Sequence, residues 1–511
     1  MKKSCLVLIA LLVNFPVYAE LDEPVNRELD IAEVVSEPVT LQSVQVNKQS
    51  GQVNSLSGAL TQGTLKGLLR LNGEYRNTNL HLPQDSSITH VSSSEKQYLS
   101  AGGYIGYETS PWGHISVGAT AYTSNPVGNN PDNRRGLGGL YDGDGGQASY
   151  NVIGEAYVKY QNGEHLLKIG RQEMHYGDVS VADVRMTPRT HQAIIFENTS
   201  FDNLQINLAY VEKMKERNAK HFKDMAYSSR IRSGCGGLDQ SGDCVNSGSK
   251  RLLRGDFDQN NYGNDGQYIG SKKALALAGF VYSTERLSLE FWDYYAEDLL
   301  NSLYLYGQYN LNSTLNDTDY AYSIEAQYGN QQDAGDHIAG NIDTWYLGLK
   351  AVAKQNNGWG FFTSYNRVGY NEDSYNGGSI FIPWGSPQMF NSFQVQSSEL
   401  AGVKSYGAGV EYDFARDGFM AGTYFRVRYG YYDMPNSLSD TDARQDRAEI
   451  TFDAIYNFAG NLKGLKLWLR YAYNDYDTNY DYSAYEQIHG YEIDSVTDSF
   501  RDVRLYVDYR F

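Results

Sequence analysis

The chain has 511 residues, of which 44 are Tyr, 51 Gly and only 11 Pro, and its formal net charge is −18. Aromatic residues make up 14% of it, a composition typical of strands and amphipathic interfaces rather than helical cores. The excess of acidic over basic residues, 61 against 43, argues against a nucleic-acid partner.

The N-terminus has the pattern of a secretory signal peptide. Lys2 and Lys3 form a positive n-region, residues 5–15 are mostly apolar, and Ala19 ends a small-residue cleavage site. The apolar run is too short to span a bilayer, and no run of about 18 uncharged apolar residues follows it. We therefore expect residues 1–19 to be removed on export, and no membrane-spanning helix in the mature chain.

Residues 20–64 are rich in Asp and Glu and precede the first predicted strand. This composition favours a flexible acidic periplasmic extension. A short helix or an oligomerisation segment within it stays open. Residues 39–46 loosely resemble the energy-coupling box of TonB-dependent receptors. However, fewer than 50 residues precede the first predicted strand, too few for the plug domain of those receptors.

From about residue 65 onward, segments of roughly 8 to 13 residues alternate apolar and polar side chains between turn-rich stretches. In the last segment, Val503, Leu505 and Val507 alternate with charged residues. The predicted fold is all-β, a transmembrane antiparallel β-barrel of 18 strands with short periplasmic turns and long extracellular loops. The predicted strands are 65–76, 97–109, 114–123, 149–161, 165–171, 191–199, 204–212, 274–283, 287–295, 299–309, 320–329, 343–354, 359–369, 404–414, 420–432, 446–458, 465–476 and 501–511.

The connections between these segments support the same topology. Short links alternate with mostly long ones. We expect the short links on the periplasmic side and the long links on the extracellular side. One pair breaks the alternation, because 296–298 is short where a long loop belongs and 310–319 is long where a turn belongs. The other short links are 110–113, 162–164, 200–203, 284–286, 355–358, 415–419 and 459–464.

Many of the tyrosines fall at predicted strand ends, where aromatic girdles meet the two membrane interfaces. They include Tyr75, Tyr107, Tyr160, Tyr210, Tyr282, Tyr328, Tyr412, Tyr432 and Tyr509.

Cys235 and Cys244 are the only cysteines expected in the mature chain, and both lie in a Gly/Ser-rich stretch. In an oxidising compartment such a pair favours a local disulfide. The alternative is a metal site, but no further ligands lie at close spacing. No nucleophile elbow, metalloprotease motif, Walker loop or dinucleotide fingerprint occurs, so we predict no enzyme, no catalytic residue, no metal and no cofactor.

The alternation also assigns an inward face, on which seven cations would line one wall because the last strands and the first become neighbours in a closed barrel. A row of such groups passes a carboxylate from site to site. An equally weighted alternative is a structural ion-pair network with the inward Glu74, Glu449, Asp453 and Asp502. The seven ladder residues are Lys66, Arg70, Arg426, Arg428, Lys466, Arg470 and Arg504.

The third long loop, 172–190, follows the strand LKIGRQ and contains the sequence DVRMTP at residues 183–188. Together with GEAYVKY at 154–160 and the terminal Phe511, this pattern resembles OprD-family outer-membrane porins. Campylobacter-type major porins, which share the general architecture, are a close neighbour. The candidate constriction residues are four charged side chains of the loop, Asp178, Asp183, Arg185 and Arg189.

The resemblance implies an 18-stranded channel for small water-soluble solutes, often carboxylates, in the outer membrane of a Gram-negative bacterium. It implies that the third loop folds into the lumen as a constriction, with Asp183 and Arg185 there and Pro188 fixing the loop's exit. Phe511 is expected to engage the barrel-assembly machinery. A monomer and a homotrimer both stay open. The alternative function is a surface adhesin or structural barrel, with 212–273, 370–403 and 477–500 as its working loops.

Overall fold

The computed structural model describes residues 53–81, 92–128, 148–217, 219–224, 274–311, 320–335, 341–371, 373–382, 384–385, 387–396, 398–414, 420–435, 445–477 and 496–511. The predicted signal peptide and the Cys235–Cys244 pair lie outside these residues. Within them, no helix is both long and apolar enough to cross a membrane.

Eighteen antiparallel strands form one closed barrel. Each strand pairs with its sequence neighbours, and the first and last strands pair with each other, with Leu68 opposite Arg510 and Tyr75 opposite Val503. A two-residue strand, Lys223–Asp224, extends the edge of the seventh strand and is left unnumbered. The strands are β1 Thr64–His81, β2 Ser92–Glu108, β3 Ile115–Pro126, β4 Tyr150–Asn162, β5 His165–Gln172, β6 Thr190–Phe201, β7 Leu204–Lys215, β8 Leu275–Ser283, β9 Leu287–Ala296, β10 Leu300–Asn310, β11 Tyr320–Asp333, β12 Asp343–Gln355, β13 Trp359–Val368, β14 Lys404–Asp413, β15 Thr423–Asp433, β16 Arg447–Asn457, β17 Leu465–Tyr476 and β18 Val496–Arg510.

The predicted barrel and its strand count are therefore confirmed. Alternation of burial along the strands follows the predicted two-residue period. In β3, for example, Ser116 is buried in the lumen while Val117 is exposed on the outer face. The irregular pair of links is also as expected, since only 297–299 joins β9 to β10 whereas 311–319 joins β10 to β11.

The tyrosine surplus divides between two places. Tyr160, Tyr210 and Tyr509 are exposed on the outer face at strand ends, as expected for the girdles. The expectation for Tyr432 is wrong, because its side chain points into the lumen and its hydroxyl donates to the Asn391 carbonyl at 2.7 Å. Further tyrosines buried inside the barrel are Tyr98, Tyr122, Tyr150, Tyr157, Tyr176, Tyr294, Tyr304, Tyr306, Tyr346, Tyr424 and Tyr506.

The lumen is divided into two unlike halves. On the side of β6 to β13 it is filled by a large apolar cluster that includes Leu277, Trp292 and Tyr304. Trp292 lies flat over Gly279 of the neighbouring strand, where an added Cβ would meet its ring at 2.1 Å, so the missing side chain makes room for the ring. The inner faces of β14 to β18 and β1 instead carry most of the buried charged side chains.

A short segment precedes the barrel and packs on its rim. Helix α1, Leu56–Thr61, begins at Ser55, whose hydroxyl accepts from Gly58 N–H. The Ala59 carbonyl accepts from Ser110 N–H in the β2–β3 turn at 3.0 Å. Residues 53–63 of the predicted extension are thus docked on the barrel, and residues 20–52 lie outside the described part of the chain.

Two loops enter the lumen: loop 3, residues 173–189 between β5 and β6, and loop 7, residues 369–403 between β13 and β14. Their polar groups bond to inward-facing strand residues on several sides of the barrel. The pattern of long links predicts loop 7 at the extracellular surface, and that expectation is wrong for its described residues, most of which are buried.

Candidate functional site

Loop 3 opens with a tight turn fixed to β9. Tyr176 and Val179 exchange backbone hydrogen bonds of 2.9 and 3.1 Å. Gly177 between them has φ of 59°, a conformation that favours glycine. Tyr294 of β9 donates to the Tyr176 carbonyl and accepts from Asp178 N–H, both at 2.9 Å. These bonds hold the turn against the apolar half of the lumen.

Asp178 joins the two inward loops. Its carboxylate accepts from Gln388 N–H of loop 7 at 3.1 Å, and the Gln388 side chain donates to the Gly177 carbonyl at 3.3 Å. Asp178 is almost fully buried. This burial, together with the charge of Glu290, raises the pKa of Asp178 to about 7. The junction between loop 3 and loop 7 therefore contains a buried carboxyl group whose pKa is near neutral pH.

The middle of loop 3 reaches the opposite side of the barrel. Ala182 has a φ of 45°, an uncommon value for a residue with a side chain. The next residue, Asp183, contacts charged side chains on β1 and β18. Asp183 accepts from Arg70 at 2.6 Å and lies 3.8 Å from Arg510. Arg185 donates to Glu74 at 2.6 Å. Since β1 and β9 are eight strands apart in the ring, loop 3 spans the lumen.

The end of loop 3 is fixed near β6 and β7, away from the wall. Arg189 donates to Glu216 at 3.2 Å and to the Ser180 carbonyl at 3.0 Å, and is almost fully buried. The Pro188 carbonyl accepts from Lys215 at 2.7 Å. Of the four candidate constriction residues, Asp183 and Arg185 lie together at the charged wall, Asp178 lies at the junction with loop 7, and Arg189 holds the loop end.

Loop 7 crosses the lumen above the same wall. Near its start, Phe381 exchanges two hydrogen bonds with the Gln331 side chain of β11, at 2.8 and 2.9 Å. Farther along, Gln394 donates to Asp502 of β18 at 2.7 Å. Glu449 of β16 accepts the N–H groups of residues 395 and 396 at 3.1 and 2.7 Å. Loop 7 is thus tied to strands on both halves of the barrel.

Three groups of ion pairs make up the charged wall. In the first group, the Asp453 carboxylate pairs with three guanidinium groups. The N–O distances are 2.9 Å to Arg470, 3.2 Å to Arg426 and 3.4 Å to Arg428. A single carboxylate thus serves three guanidinium groups, all of them buried with it.

The second group surrounds Glu74 and Asp502. Arg504 lies 2.7 Å from Asp502, Arg76 lies at the same distance from it, and Arg185 contacts Glu74. With Arg185 from loop 3, this group contains three cations and two carboxylates.

The third group surrounds Asp183 and Asp508. Arg70 lies 2.8 Å from Asp508 as well as 2.6 Å from Asp183, and Lys466 lies 3.8 Å from Asp508. Arg510 completes the group through Asp183. We call these three groups the basic wall, because they bring together nine cations and five carboxylates.

The seven predicted ladder residues differ in exposure. Six of them belong to the basic wall, and Arg70, Arg426, Arg428, Arg470 and Arg504 are almost fully buried there. Lys66 lies apart from the wall groups, pairs with Glu155 at 2.8 Å and has a side chain that is 43% exposed. Each predicted ladder cation therefore has a carboxylate partner. Within the three groups the cations outnumber the carboxylates, and the buried Glu449 lies beside them, near Arg428 and Arg470.

Sequence reasoning missed the role of loop 7 and of residues that hold loop 3, such as Lys215 and Tyr294. The signal for loop 7 was its own composition, because SIFIPWGSPQMF at 379–390 is too apolar for an extracellular loop. Lys215 ends a strand and carries no such signal. Among the described residues, no group of three or more His, Cys, Asp or Glu could hold a metal ion.

A closed, 18-stranded barrel whose lumen is crossed by inward loops and lined by charge defines an outer-membrane channel. The family model for outer membrane porins of the OprD family matches residues 128–511. The chain belongs to this family, which confirms the resemblance read from residues 150–190. It is a channel for small solutes in the outer membrane of a Gram-negative bacterium, in a family of porins rather than enzymes.

Solved porins share this fold at low sequence identity. OccAB3 of Acinetobacter baumannii is 17% identical with a TM-score of 0.65, over 88% of this chain and 99% of its own. OccK9 of Pseudomonas aeruginosa is 17% identical with a TM-score of 0.64, over 88% and 98%. OpdK of Pseudomonas aeruginosa, solved with vanillate, is 18% identical with a TM-score of 0.62, over 88% and 98%. No curated protein matches the sequence.

Proposed function

We propose that the chain conducts small carboxylates along the charged half of its lumen, with loop 3 and loop 7 as the constriction. The observation that carries this proposal is the excess of cations over carboxylates in the basic wall. Such an excess lowers the energy of an anion near the wall and raises that of a cation. A neutral ion-pair network would not discriminate in this way.

The charged groups of the lumen act in different ways in this proposal. The buried arginines supply a fixed positive potential, whereas Lys66 and Arg510 are open enough to touch a passing solute. Asp183 and Arg185 place one charge of each sign on the loop side of the constriction. A carboxylate entering there exchanges hydration for charge-assisted hydrogen bonds.

OpdK, a structural neighbour, was solved with vanillate, an aromatic carboxylate. Its identity to this chain is low, so the ligand indicates a solute class worth testing rather than a solute. It supports the choice of an aromatic carboxylate as the first probe.

The test is solute-specific permeation through the purified chain in planar bilayers. Reversal potentials in a KCl gradient report the anion-to-cation ratio, and vanillate is compared with vanillyl alcohol, which keeps the ring and lacks the carboxylate. We expect anion preference and a larger block of the KCl current by vanillate. Cation preference together with equal effects of the two probes would refute carboxylate conduction.

The constriction has its own test, deletion of residues 176–186. This change removes the Tyr176 turn, Asp178, Asp183 and Arg185 from the lumen and should raise single-channel conductance. A folded deletion variant with unchanged conductance and unchanged selectivity would show that loop 3 does not limit the current.

A further inference from the structure

Helix α1 lies on the outside of the barrel wall. Leu65 of β1 is directly opposite Tyr107 of β2, and opposed residues of an antiparallel pair share one face of the sheet. Leu65 is 55% exposed on the outer face, so Tyr107 points outward too. The Tyr107 hydroxyl donates to the Leu60 carbonyl at 2.6 Å and accepts from Gly63 N–H at 3.0 Å. The end of α1 is therefore attached to the outward face, not to the lumen.

The start of this segment is attached to the periplasmic rim. Val53 N–H donates to the Pro111 carbonyl at 3.1 Å, and Val53 pairs with Trp112 in a parallel bridge. Both partners lie in the β2–β3 turn, and Ala59 faces that turn and is buried. Hydrogen bonds along its whole length thus hold the segment at one height on the barrel.

One exposed side of α1 is apolar. Leu56 and Leu60, one helical turn apart, are each 57% exposed, and the helix LSGALT has no charged residue. Trp112 beside them is half exposed. Ser57 and Thr61 are exposed as well, so the exposed surface of α1 has an apolar side and a polar side.

The same surface continues into the lipid-facing band. Leu65 and Leu69 of β1, Ile105 of β2 and Ile115 of β3 are exposed next to the segment, on the face that a membrane barrel turns to hydrocarbon. Trp side chains are enriched at the level where hydrocarbon meets head groups, and Trp112 marks that level here. The apolar face of α1 is therefore an extension of an interface that the barrel already has with lipid.

We propose that α1 is an interfacial anchor in the periplasmic leaflet of the outer membrane, with Leu56 and Leu60 inserted between phospholipids beside Trp112. The partner is the boundary between head groups and acyl chains. The anchor fixes the level at which residues 53–63 meet the bilayer.

The test uses spin labels on single cysteines in the full mature chain, with Cys235→Ser and Cys244→Ser as background. The labelled variants are Leu56→Cys and Leu60→Cys, and Ser57→Cys is the matched control on another face of the helix. Leu69→Cys on the outer face of β1 is the lipid reference, and Glu285→Cys in the β8–β9 turn is the water reference. Each variant is reconstituted in phosphatidylethanolamine–phosphatidylglycerol vesicles, and heat-modifiable migration verifies a closed barrel.

Relaxation by oxygen, which dissolves in lipid, is compared with relaxation by a water-soluble nickel chelate. We expect the oxygen-to-nickel ratio at 56 and 60 to lie below that at Leu69→Cys, which is deeper in the bilayer, and to exceed the ratios at Ser57→Cys and Glu285→Cys several-fold. Ratios at 56 and 60 equal to that at Glu285→Cys would overturn the proposal. Labels at 56 and 60 that neither reagent reaches, with dipolar broadening, would overturn it in favour of a contact between two copies of the chain.

Discussion

Lys66 and Arg426 carry the same charge and were predicted for the same ladder, yet their surroundings give them different tasks. Lys66 has one carboxylate partner and a side chain open to the lumen. Arg426 shares Asp453 with two other arginines and is buried. Removing an exposed charge changes the potential that a solute meets, whereas breaking a buried pair mainly changes stability.

Lys66→Gln should therefore weaken anion preference without destabilising the barrel. A unit charge about 4 Å from an ion is worth about 1 kcal/mol in water, roughly a five-fold change in partition. The reversal potential in a KCl gradient measures this change. The matched control is Lys354→Gln, because Lys354 is also exposed and paired with a glutamate, Glu411, but lies on β12. Equal shifts in the two variants would mean that Lys66 is not on the solute path.

Asp453→Asn should destabilise the barrel, because three buried arginines lose the carboxylate that they share. Breaking a buried ion pair costs about 3–5 kcal/mol. The midpoint of urea unfolding in vesicles measures the loss. Asp433→Asn is the control, since Asp433 pairs with Lys404 at 3.4 Å while both side chains remain over 40% exposed, and such pairs contribute about 1 kcal/mol or less. Similar midpoints for both variants would contradict the structural role of the Asp453 group.

At the scale of elements, loop 3 and loop 7 support each other. Neither has regular secondary structure over most of its length, so their positions depend on contacts with the wall and on the junction at Asp178 and Gln388. A change at this junction should move both loops. The junction is also where titration near neutral pH can act.

Rising pH should loosen the junction. Asp178 has a pKa of about 7 when the two loops are docked, above its ordinary value of 3.8. Between about pH 4 and pH 7, docking of the loops is therefore accompanied by protonation of Asp178. Docking is then strongest below about pH 4 and weakens as pH rises to about 7, by up to about 4 kcal/mol. Transitions between conductance substates, recorded from pH 5 to pH 8, should become more frequent as the pH rises.

The control for this titration is Asp178→Asn, which keeps the acceptor for Gln388 N–H and cannot ionise. In this variant, transitions between conductance substates should stay as infrequent from pH 5 to pH 8 as they are at low pH in the unmodified channel. A pH dependence that persists in Asp178→Asn would assign the effect to another group, such as Glu290, whose charge acts on Asp178.

Gly385→Ala should separate the two loops. A Cβ at Gly385 would lie 1.5 Å from the Asp178 carbonyl oxygen, so the backbones must move apart. We expect higher single-channel conductance and a lower unfolding midpoint. Gly73→Ala is the control, because a Cβ there would lie 3.3 Å from the end of the Leu99 side chain and 3.7 Å from the Tyr98 carbonyl oxygen, with no severe overlap. An unchanged conductance in Gly385→Ala would show that the close contact of the loops does not shape the pore.

Strands and loops differ in how well the sequence predicts them. The strands were predictable because one face meets lipid and the other meets the lumen, so each strand carries a two-residue period. Their bounds were less so, since β1 and β18 extend five residues beyond the predicted 65–76 and 501–511. Loop 7 carries no period, since Phe381, Trp384 and Phe393 each pack against a different part of the lumen. The ladder was predictable as a set of inward cations, but the sharing of Asp453 by three arginines depends on register between strands.

At the scale of the whole molecule, the lumen has an apolar half and a charged half. The apolar cluster on the side of β6 to β13 resembles the interior of a water-soluble protein, in which close packing supplies stability. The charged half holds its groups at fixed positions through ion pairs. Loop 3 connects the halves, with its turn bound to Tyr294 and its middle bound to Arg70.

If the apolar half is core, substitutions there should change stability and leave permeation unchanged. Tyr304 of β10 is buried in that cluster, and its hydroxyl has no hydrogen-bond partner among the described residues. Tyr304→Ala should cost about 3–5 kcal/mol of unfolding free energy through the cavity it leaves. Tyr304→Phe should be neutral or slightly stabilising, because it removes only the unpaired hydroxyl. Both variants should keep the reversal potential of the unmodified channel, whereas a new conductance in Tyr304→Ala would mean that solutes also pass through the apolar half.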